Sequence, residues 1–271
     1  MSEQDLVART ERPATVSSLV RDLRALGVEP GVTLFVHSSL SSLGWVAGAA
    51  QAVVVALQTA VGPDGTLVMP AHSTGLSEPA QWRHPPVPKS WWEAIRAETP
   101  AFDPKLTPTR GMGRIPETFR SGDGVLRSNH PHASAAAWGR HARFVTADHA
   151  LDSGVGDGSP MARVYDLDGW VLLLGVGHAR NTSLHLCEYR AHFPSRKTSP
   201  QGAPILVDGE RRWVEFEDLE WDDEDFPQIG AAFEAETDEV RIGKIALAES
   251  RLMRQRALVD FGVRWMERHR T

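Results

Sequence analysis

His185 and Glu188 are the pair in this chain whose types and spacing most directly allow chemistry. An imidazole titrates near neutral pH, and a carboxylate three helical positions away can fix its tautomer and stabilise its cation. The pair lies in Asn181-Thr-Ser-Leu-His-Leu-Cys-Glu-Tyr189, behind the apolar run Trp170-Val-Leu-Leu-Leu-Gly-Val176. That run reads as a buried strand and Gly177 to Arg180 as a turn. Asn181, Thr182 or Ser183 then caps a helix reaching Phe193, where Pro194 stops it. His185, Glu188 and His192 share one stripe of this helix, with Leu184, Cys187 and Ala191 on another. A histidine–carboxylate pair at the carboxyl end of a buried strand is where an α/β enzyme keeps its base. The competing reading is structural: a first-turn histidine bonded to Glu188 for stability alone.

Other segments offer weaker chemistry. His37-Ser-Ser-Leu-Ser-Ser-Leu-Gly44 joins a strand to a helix, so its hydroxyls and N–H groups can hold an anion or an amide-rich arm. It lacks the glycine patterns of a P-loop or a dinucleotide fingerprint, and a serine loop satisfying its own backbone explains it equally. Thr107-Pro-Thr-Arg-Gly-Met-Gly-Arg-Ile-Pro-Glu117 brings arginines that can fork onto phosphate, and glycines that admit a ligand close to the backbone. A capped turn with surface arginines is its simpler reading. Further histidines, at 130, 132, 141, 149 and 178, raise the question of a metal. No His-Glu-x-x-His pair or cysteine set accompanies them, and His185 and His192 are two helical turns apart, so no metal is expected. No Gly-x-Ser-x-Gly elbow supports a serine hydrolase. Cys187 falls on the apolar stripe and reads as core.

Residues 215 to 225 hold carboxylates at 215, 217, 218, 220, 222, 223, 224 and 225, interleaved with Phe216, Leu219 and Trp221. Such runs are usually solvated faces, but the aromatics suit a cleft wall for a polycationic small molecule.

The elements that must position these residues read as α/β. The 271 residues suffice for a full core, and a formal charge of -6 without a basic block argues against nucleic acid. A single cysteine fits a reducing compartment. No apolar run is long enough to cross a membrane and no signal peptide opens the chain, so the expectation is a cytoplasmic protein, monomeric or homodimeric. Thr15 caps a helix with Leu19, Val20, Leu23 and Leu26 at helical spacing, ended by Gly27. Strand 32–36, helix 49–60 and strand 66–69 follow as a crossover unit, predicting parallel strands covered by helices. Residues 70–108 are rich in proline and tryptophan, and predict a long excursion over a cleft with one helix at 91–98. Residues 113–119 and 131–139 read as short helices, 205–207 and 212–216 as a hairpin about Asp208-Gly209, and 242–265 as a closing helical region. The fold class is thus a central mixed, largely parallel sheet with flanking helices and long loop insertions. Residues 1–14 form a tail and 15–271 a single domain, with cleft-lining insertions near 70–108 and 205–230.

In order along the chain, these segments resemble the aminoglycoside 3-N-acetyltransferase family, over roughly residues 15 to 265. The likeness rests on His37 to Gly44 with Gly48 beyond, and on Phe102-Asp-Pro104 with Thr107 to Glu117. It continues through Arg127-Ser-Asn-His-Pro-His-Ala-Ser134, Gly156-Asp-Gly-Ser-Pro160, and Leu172 to Gly177 leading into Asn181 to Glu188. The resemblance implies the antibiotic N-acetyltransferase fold, distinct from the smaller general acetyltransferase fold, and acetyl-coenzyme A as cosubstrate. It implies that His37, Ser38, Ser39 and Gly44, continued by Thr109, Arg110, Met112 and Gly113, line the coenzyme path. His185 with Glu188 matches the base, and Asp223 and Asp225 match the segment that meets the aminoglycoside. Ala49 stands where a second glycine is frequent and Cys187 where alanine is. Family likeness alone does not fix antibiotic resistance as the role.

The implied reaction is direct acetyl transfer to a 3-amine in a ternary complex, with no acyl-enzyme. The histidine removes a proton from the amine, and backbone N–H groups of the 37–44 loop or a nearby hydroxyl stabilise the oxyanion. A different amine as acceptor, and non-catalytic binding of a cationic ligand, are the alternatives.

Overall fold

The computed structural model describes residues 2–271. The helix α1 (Glu3–Arg9) lies within the stretch expected to be a tail, and α2 (Val16–Leu26) follows. In α2, Thr15 Oγ1 accepts the Ser18 N–H and Ser18 Oγ accepts the Thr15 N–H, while Gly27 closes the helix at φ 105°. The crossover unit is β1 (Thr33–Ser38), α3 (Ala49–Val61) and β2 (Thr66–Pro70). The excursion after β2 contains α4 (Trp92–Glu98) between short turns, and then come α5 (Arg114–Arg120), β3 (Leu126–Arg127), β4 (Ala135–Gly139), α6 (Ala142–Thr146) and α7 (Pro160–Asp166). β5 (Trp170–Leu174) leads to α8 (Ser183–Arg190), and the hairpin of β6 (Thr198–Val207) and β7 (Glu210–Leu219) leads to α9 (Phe226–Glu236). The chain closes with β8 (Val240–Ile245), β9 (Ala248–Arg254) and α10 (Gln255–His269).

The central sheet has 7 strands in the order β3-β4-β2-β1-β5-β9-β8. Its middle, β2-β1-β5, is parallel, and antiparallel pairs extend it at both edges. β1, β2, β3, β5 and β8 therefore run one way and β4 and β9 the other, as the expected mixed, largely parallel sheet requires. The central strands are nearly uniform in apolar character because both faces are covered. Leu34, Val36, Leu67, Met69, Ala136, Leu172 and Leu174 face a layer containing α2, α3 and α5. Their alternates split in two: Phe35, Val68, Ala135 and Ala137 pack with Val145, Met161 and Val164 of α6 and α7. Val171 and Leu173 pack with residues of α8, α9 and α10.

Two expectations fail. Residues 131–139 are a turn and then strand β4, not a helix. Alanine prefers helix intrinsically, but Ala135, Ala136 and Ala137 are fully buried between β2 and β3, where small side chains let both faces be covered. Residues 242–265 are not one helical region. The first part is the β8–β9 hairpin, and only from Gln255 does the chain become helical. Leu252, Leu258, Val259 and Phe261 are buried, whereas Leu247 is 44% exposed at the hairpin turn.

The β6–β7 hairpin pairs in register from Thr198↔Leu219 to Val207↔Glu210. Its turn has Asp208 at φ 52° and Gly209 at φ 80°, the two positive values of a primed hairpin turn. The excursion holds the hairpin through backbone and side-chain bonds: Phe102 N–H to Pro204 O at 2.8 Å, Gln81 Nε2 to Pro200 O at 2.7 Å, and Arg211 to the carbonyls of Arg96 and Thr99.

Candidate active site

The helix bearing the histidine–carboxylate pair is shorter than expected, Ser183–Arg190, so His192 lies beyond it and off the shared stripe. There the His192 backbone N–H donates to Glu267 at 3.2 Å. Thr182 occupies the N-cap without a side-chain bond; instead Asn181 Oδ1 accepts the Ser183 N–H at 3.3 Å. Gln255 Nε2 ties Ser183 Oγ at 3.0 Å. Close packing seats the helix against α10: a Cβ on Gly262 would stand 2.6 Å from Cys187 Sγ, so only glycine fits.

His185 Nδ1 donates to Glu188 Oε2 at 2.6 Å, a direct contact. Glu188 is 1% exposed, and its other oxygen accepts the Asp222 N–H at 2.9 Å and Arg270 Nη1 at 2.7 Å. The imidazole sits between Trp221 and Phe226, with ring centroids 5.3 and 4.7 Å away. With Nδ1 committed, Nε2 is the nitrogen left for the cleft that the ring lines.

That cleft has a volume of about 720 Å³ and lies at the carboxyl ends of the parallel strands, where open α/β sheets take ligands. The chain after β1 supplies Ser39 and Ser41, the segment after β2 supplies His72, and the segment after β5 supplies Arg180 to Thr182. Residues 111–116 make the facing wall. Gly111 and Gly113 have φ of 75° and 87°, with nothing within 4 Å of where a Cβ would be, so the backbone there is open to a ligand. Gly175 at φ 69° closes β5 against the serine loop, where Ser42 Oγ donates to its carbonyl at 2.9 Å.

The cleft contains polar atoms without protein partners. Ser38 Oγ, His37 Nε2 and His72 Nε2 are buried and unbonded. Burial, reinforced by neighbouring histidines, lowers His37 and His72 to about 3, so both rings are neutral at physiological pH. They can donate or accept a hydrogen bond without bringing charge.

Of the residues singled out from the sequence, His37, Ser38, Ser39, Met112, Gly113, His185 and Asp223 meet around this cleft. Gly44, Thr109, Arg110 and Asp225 do not line it. Gly44 is buried, where a Cβ would stand 2.7 Å from Thr10 Oγ1. Thr109 is turned to Glu117, donating to Oε2 from its hydroxyl at 2.7 Å and from its N–H at 2.9 Å. Burial raises Glu117, but the Arg120 guanidinium and the Thr109 bonds outweigh it and bring it to about 2. The Arg110 N–H donates to His72 O at 2.8 Å and its side chain lies near Gly75. Asp225 accepts from Arg270 at 2.8 and 2.6 Å.

His72, Asn181 and Arg180 escaped the sequence reading as lining residues, whereas Trp221 and Arg114 line the cleft from segments read as a cleft wall and a phosphate contact. Position after a parallel strand was the available signal for His72 and Asn181. Trp221 also borders a neighbouring cavity of about 630 Å³, walled by Thr74, Ser77 and Gln81 of the excursion and by Gln201 and Asp218 of the hairpin. Asp218 is 6% exposed; burial raises its pKa against bonds from Tyr189 Oη at 2.6 Å, the Leu219 N–H and the Gly154 N–H.

Strand-end loops facing a helix-borne histidine–glutamate pair form a cleft where open α/β sheets take ligands. The profile of the aminoglycoside 3-N-acetyltransferase family matches residues 35–267, and the chain belongs to that family. It is 46% identical over 261 residues to the SPbeta prophage-derived aminoglycoside N(3')-acetyltransferase-like protein YokD of Bacillus subtilis, covering 96% of this chain and 95% of that one. The crystal structure of YokD superposes with a TM-score of 0.95 over 98% of both chains, at 44% identity. Aminoglycoside N(3)-acetyltransferase VII of Streptomyces paromomycinus is 39% identical, over 98% of this chain and 96% of its own. A structure described as AAC-IIIb binary with CoASH matches at a TM-score of 0.84 and 33% identity, covering 95% of this chain and 97% of that one. Among the described residues, no helix is long and apolar enough to cross a membrane.

Proposed function

We propose that this protein transfers an acetyl group from acetyl-coenzyme A to the 3-amino group of a 2-deoxystreptamine aminoglycoside, with His185 as base. The observation that carries this reading is the buried Glu188 carboxylate fixing His185 Nδ1 at 2.6 Å, in a ring that lines the cleft. The cleft suits a coenzyme A arm. Arg114 and Arg180 supply cations for phosphates, open glycine backbone at 111 and 113 permits close approach, and unpartnered Ser38 Oγ offers a donor. A structural relative is described with CoASH bound. Acetyl-coenzyme A supplies the acyl group as a thioester.

An ammonium group cannot attack while protonated. The ammonium group first loses one proton to solvent; as the neutral amine attacks, His185 Nε2 takes a second proton from the nitrogen, the C–N bond forms as C–S breaks, and the imidazolium gives that proton to the departing thiolate. Glu188 stabilises the imidazolium while it exists. No acyl-enzyme is needed: burial, reinforced by the Glu188 charge, pushes the Cys187 thiol far up, so it stays protonated and inert.

A second reading, transfer to a less highly charged amine, is favoured by one observation. Asp225 is engaged by Arg270, which leaves Asp223 as the carboxylate on the cleft wall, beside Arg114 and Arg180. Incubation with acetyl-coenzyme A and a panel of aminoglycosides and simpler amines, read by thiol release and product mass, separates the two. Tight binding without product would instead favour a non-catalytic binder. His185→Ala should lose turnover by about 10³-fold or more while coenzyme affinity changes little. Near-normal turnover in folded protein would refute the role given to His185.

A further inference from the structure

We propose that Arg270 is a positioning residue for the base, holding Glu188 and the 222–225 segment in one arrangement and tuning His185 through the carboxylate they share. The inference rests on the reading of His185 as the base. The Arg270 side chain is only 9% exposed, and all three of its guanidinium nitrogens are hydrogen-bonded. Nη1 donates to Glu188 Oε1 at 2.7 Å, Nε and Nη2 grip the two Asp225 oxygens at 2.8 and 2.6 Å, and Nη2 also reaches Asp222 O at 2.7 Å. The guanidinium lies over the Phe193 ring, 5.3 Å from its centroid. Such a fork is available to arginine and not to lysine.

The arrangement has two consequences. Glu188 Oε1 is pinned by Arg270 and by the Asp222 N–H, so the other oxygen can lie only where His185 Nδ1 meets it. The same guanidinium anchors the loop from which Asp223 reaches the cleft. Helix α10, the catalytic pair and the acidic segment are thereby one unit.

Charge gives the second effect. Arg270 shares the carboxylate that would otherwise serve the imidazolium alone. The other groups facing the pair are Asp223, Arg114 and Arg180 on the cleft wall, Asp225 paired to Arg270, the neutral rings of His37 and His72, and the protonated Cys187 thiol. Removing the guanidinium leaves Glu188 and Asp225 without their cationic partner, beside the imidazolium that the reaction must form. The acid limb of the pH–rate profile must then move to higher pH.

The test uses full-length Arg270→Met and Arg270→Lys with acetyl-coenzyme A and an accepted amine. It measures kcat, both KM values, the pH profile of kcat/KM, and recovery by millimolar methylguanidinium against an equal concentration of potassium chloride. In R270M we expect kcat to fall about 10-fold or more at pH 7 from misplacement of the pair. The acid limb should rise by about one pH unit. KM for acetyl-coenzyme A should be little changed, methylguanidinium should restore part of the rate, and R270K should lie between. Wild-type kcat and an unmoved limb in folded R270M would overturn the proposal. So would a rate loss that tracks loss of folded protein, with no limb shift in R270M or R270K and no recovery. His185→Ala separates the two levels: if it abolishes turnover while R270M behaves as wild type, this inference alone fails, and if His185→Ala is active, the underlying reading fails.

Discussion

Glu188→Gln tests the proposed chemistry most sharply, because the hydrogen-bond inventory around this carboxylate determines what an amide must do. One oxygen accepts two donors, the Asp222 N–H and the charged Arg270, and the other accepts His185 Nδ1–H. A glutamine has one acceptor end, and Arg270 with Asp222 will claim it. Its NH2 then faces His185, which must accept at Nδ1 and carry its proton on Nε2. The ring is held in the tautomer that cannot act as a base toward the cleft. The lost charge adds to this: a carboxylate about 4 Å from an imidazolium at an effective dielectric of about 20 contributes about 4 kcal/mol. At about 1.4 kcal/mol per decade this is roughly a 10³-fold fall in kcat, in keeping with tautomer-fixing carboxylates elsewhere. Thiol release from acetyl-coenzyme A at saturating amine measures kcat, and calorimetric titration of coenzyme A confirms that the cleft is intact. A folded E188Q enzyme within about 10-fold of wild type would refute the reasoning.

Further outcomes follow from the charged and titratable groups. His130, His132 and His149 are buried and neutral: burial lowers His130 well below its ordinary value, and lowers His132 and His149 to about 4. Unfolded, each titrates at about 6.5, so the unfolded chain binds more protons as pH falls from 6.5 toward 4 and stability declines across that window. The loss is roughly 3 kcal/mol for each of His132 and His149 once pH is below both values, and urea midpoints at pH 7.5, 5.5 and 4.5 should fall steadily; a flat series would contradict it. Asp223→Asn should raise KM for a cationic acceptor several-fold, and flatten its rise with salt, while sparing KM for acetyl-coenzyme A. Identical salt dependence in both proteins would remove Asp223 from acceptor capture.

What the sequence revealed, and what it hid, follow from how local each signal was. Helix α2 was legible because its caps, Thr15 with Ser18 and Gly27, are within the segment itself. The β6–β7 hairpin was legible at its Asp-Gly turn, though its ladder runs far beyond the residues expected. The β8–β9 hairpin was not, because its turn is Ala246-Leu247, with Ala246 at φ 51°. No glycine or asparagine marked a conformation that alanine rarely adopts. Strand β4 was hidden by alanine, whose local preference lost to its place in the sheet. The His185–Glu188 contact was legible as an i,i+3 pair, but the third member of its group, Arg270, is 82 residues from Glu188. Motif likeness placed Ser39, Gly44, Thr109, Arg110, Met112 and Gly113 together on the cleft, but of these only Ser39, Met112 and Gly113 form its wall.

The void beside Trp221 is walled largely by parts outside the central sheet: Thr74, Ser77 and Gln81 before α4, and Gln201 and Asp218 on the β6–β7 ribbon. The cleft around His185 is assembled mostly from strand-end loops, residues 111–116 and α8, and shares Trp221 with that void. Replacements in the ribbon or the excursion can thus remodel one chamber while the machinery of the other keeps its geometry. The void can vary in shape while the contacts among His185, Glu188 and Arg270 stay fixed.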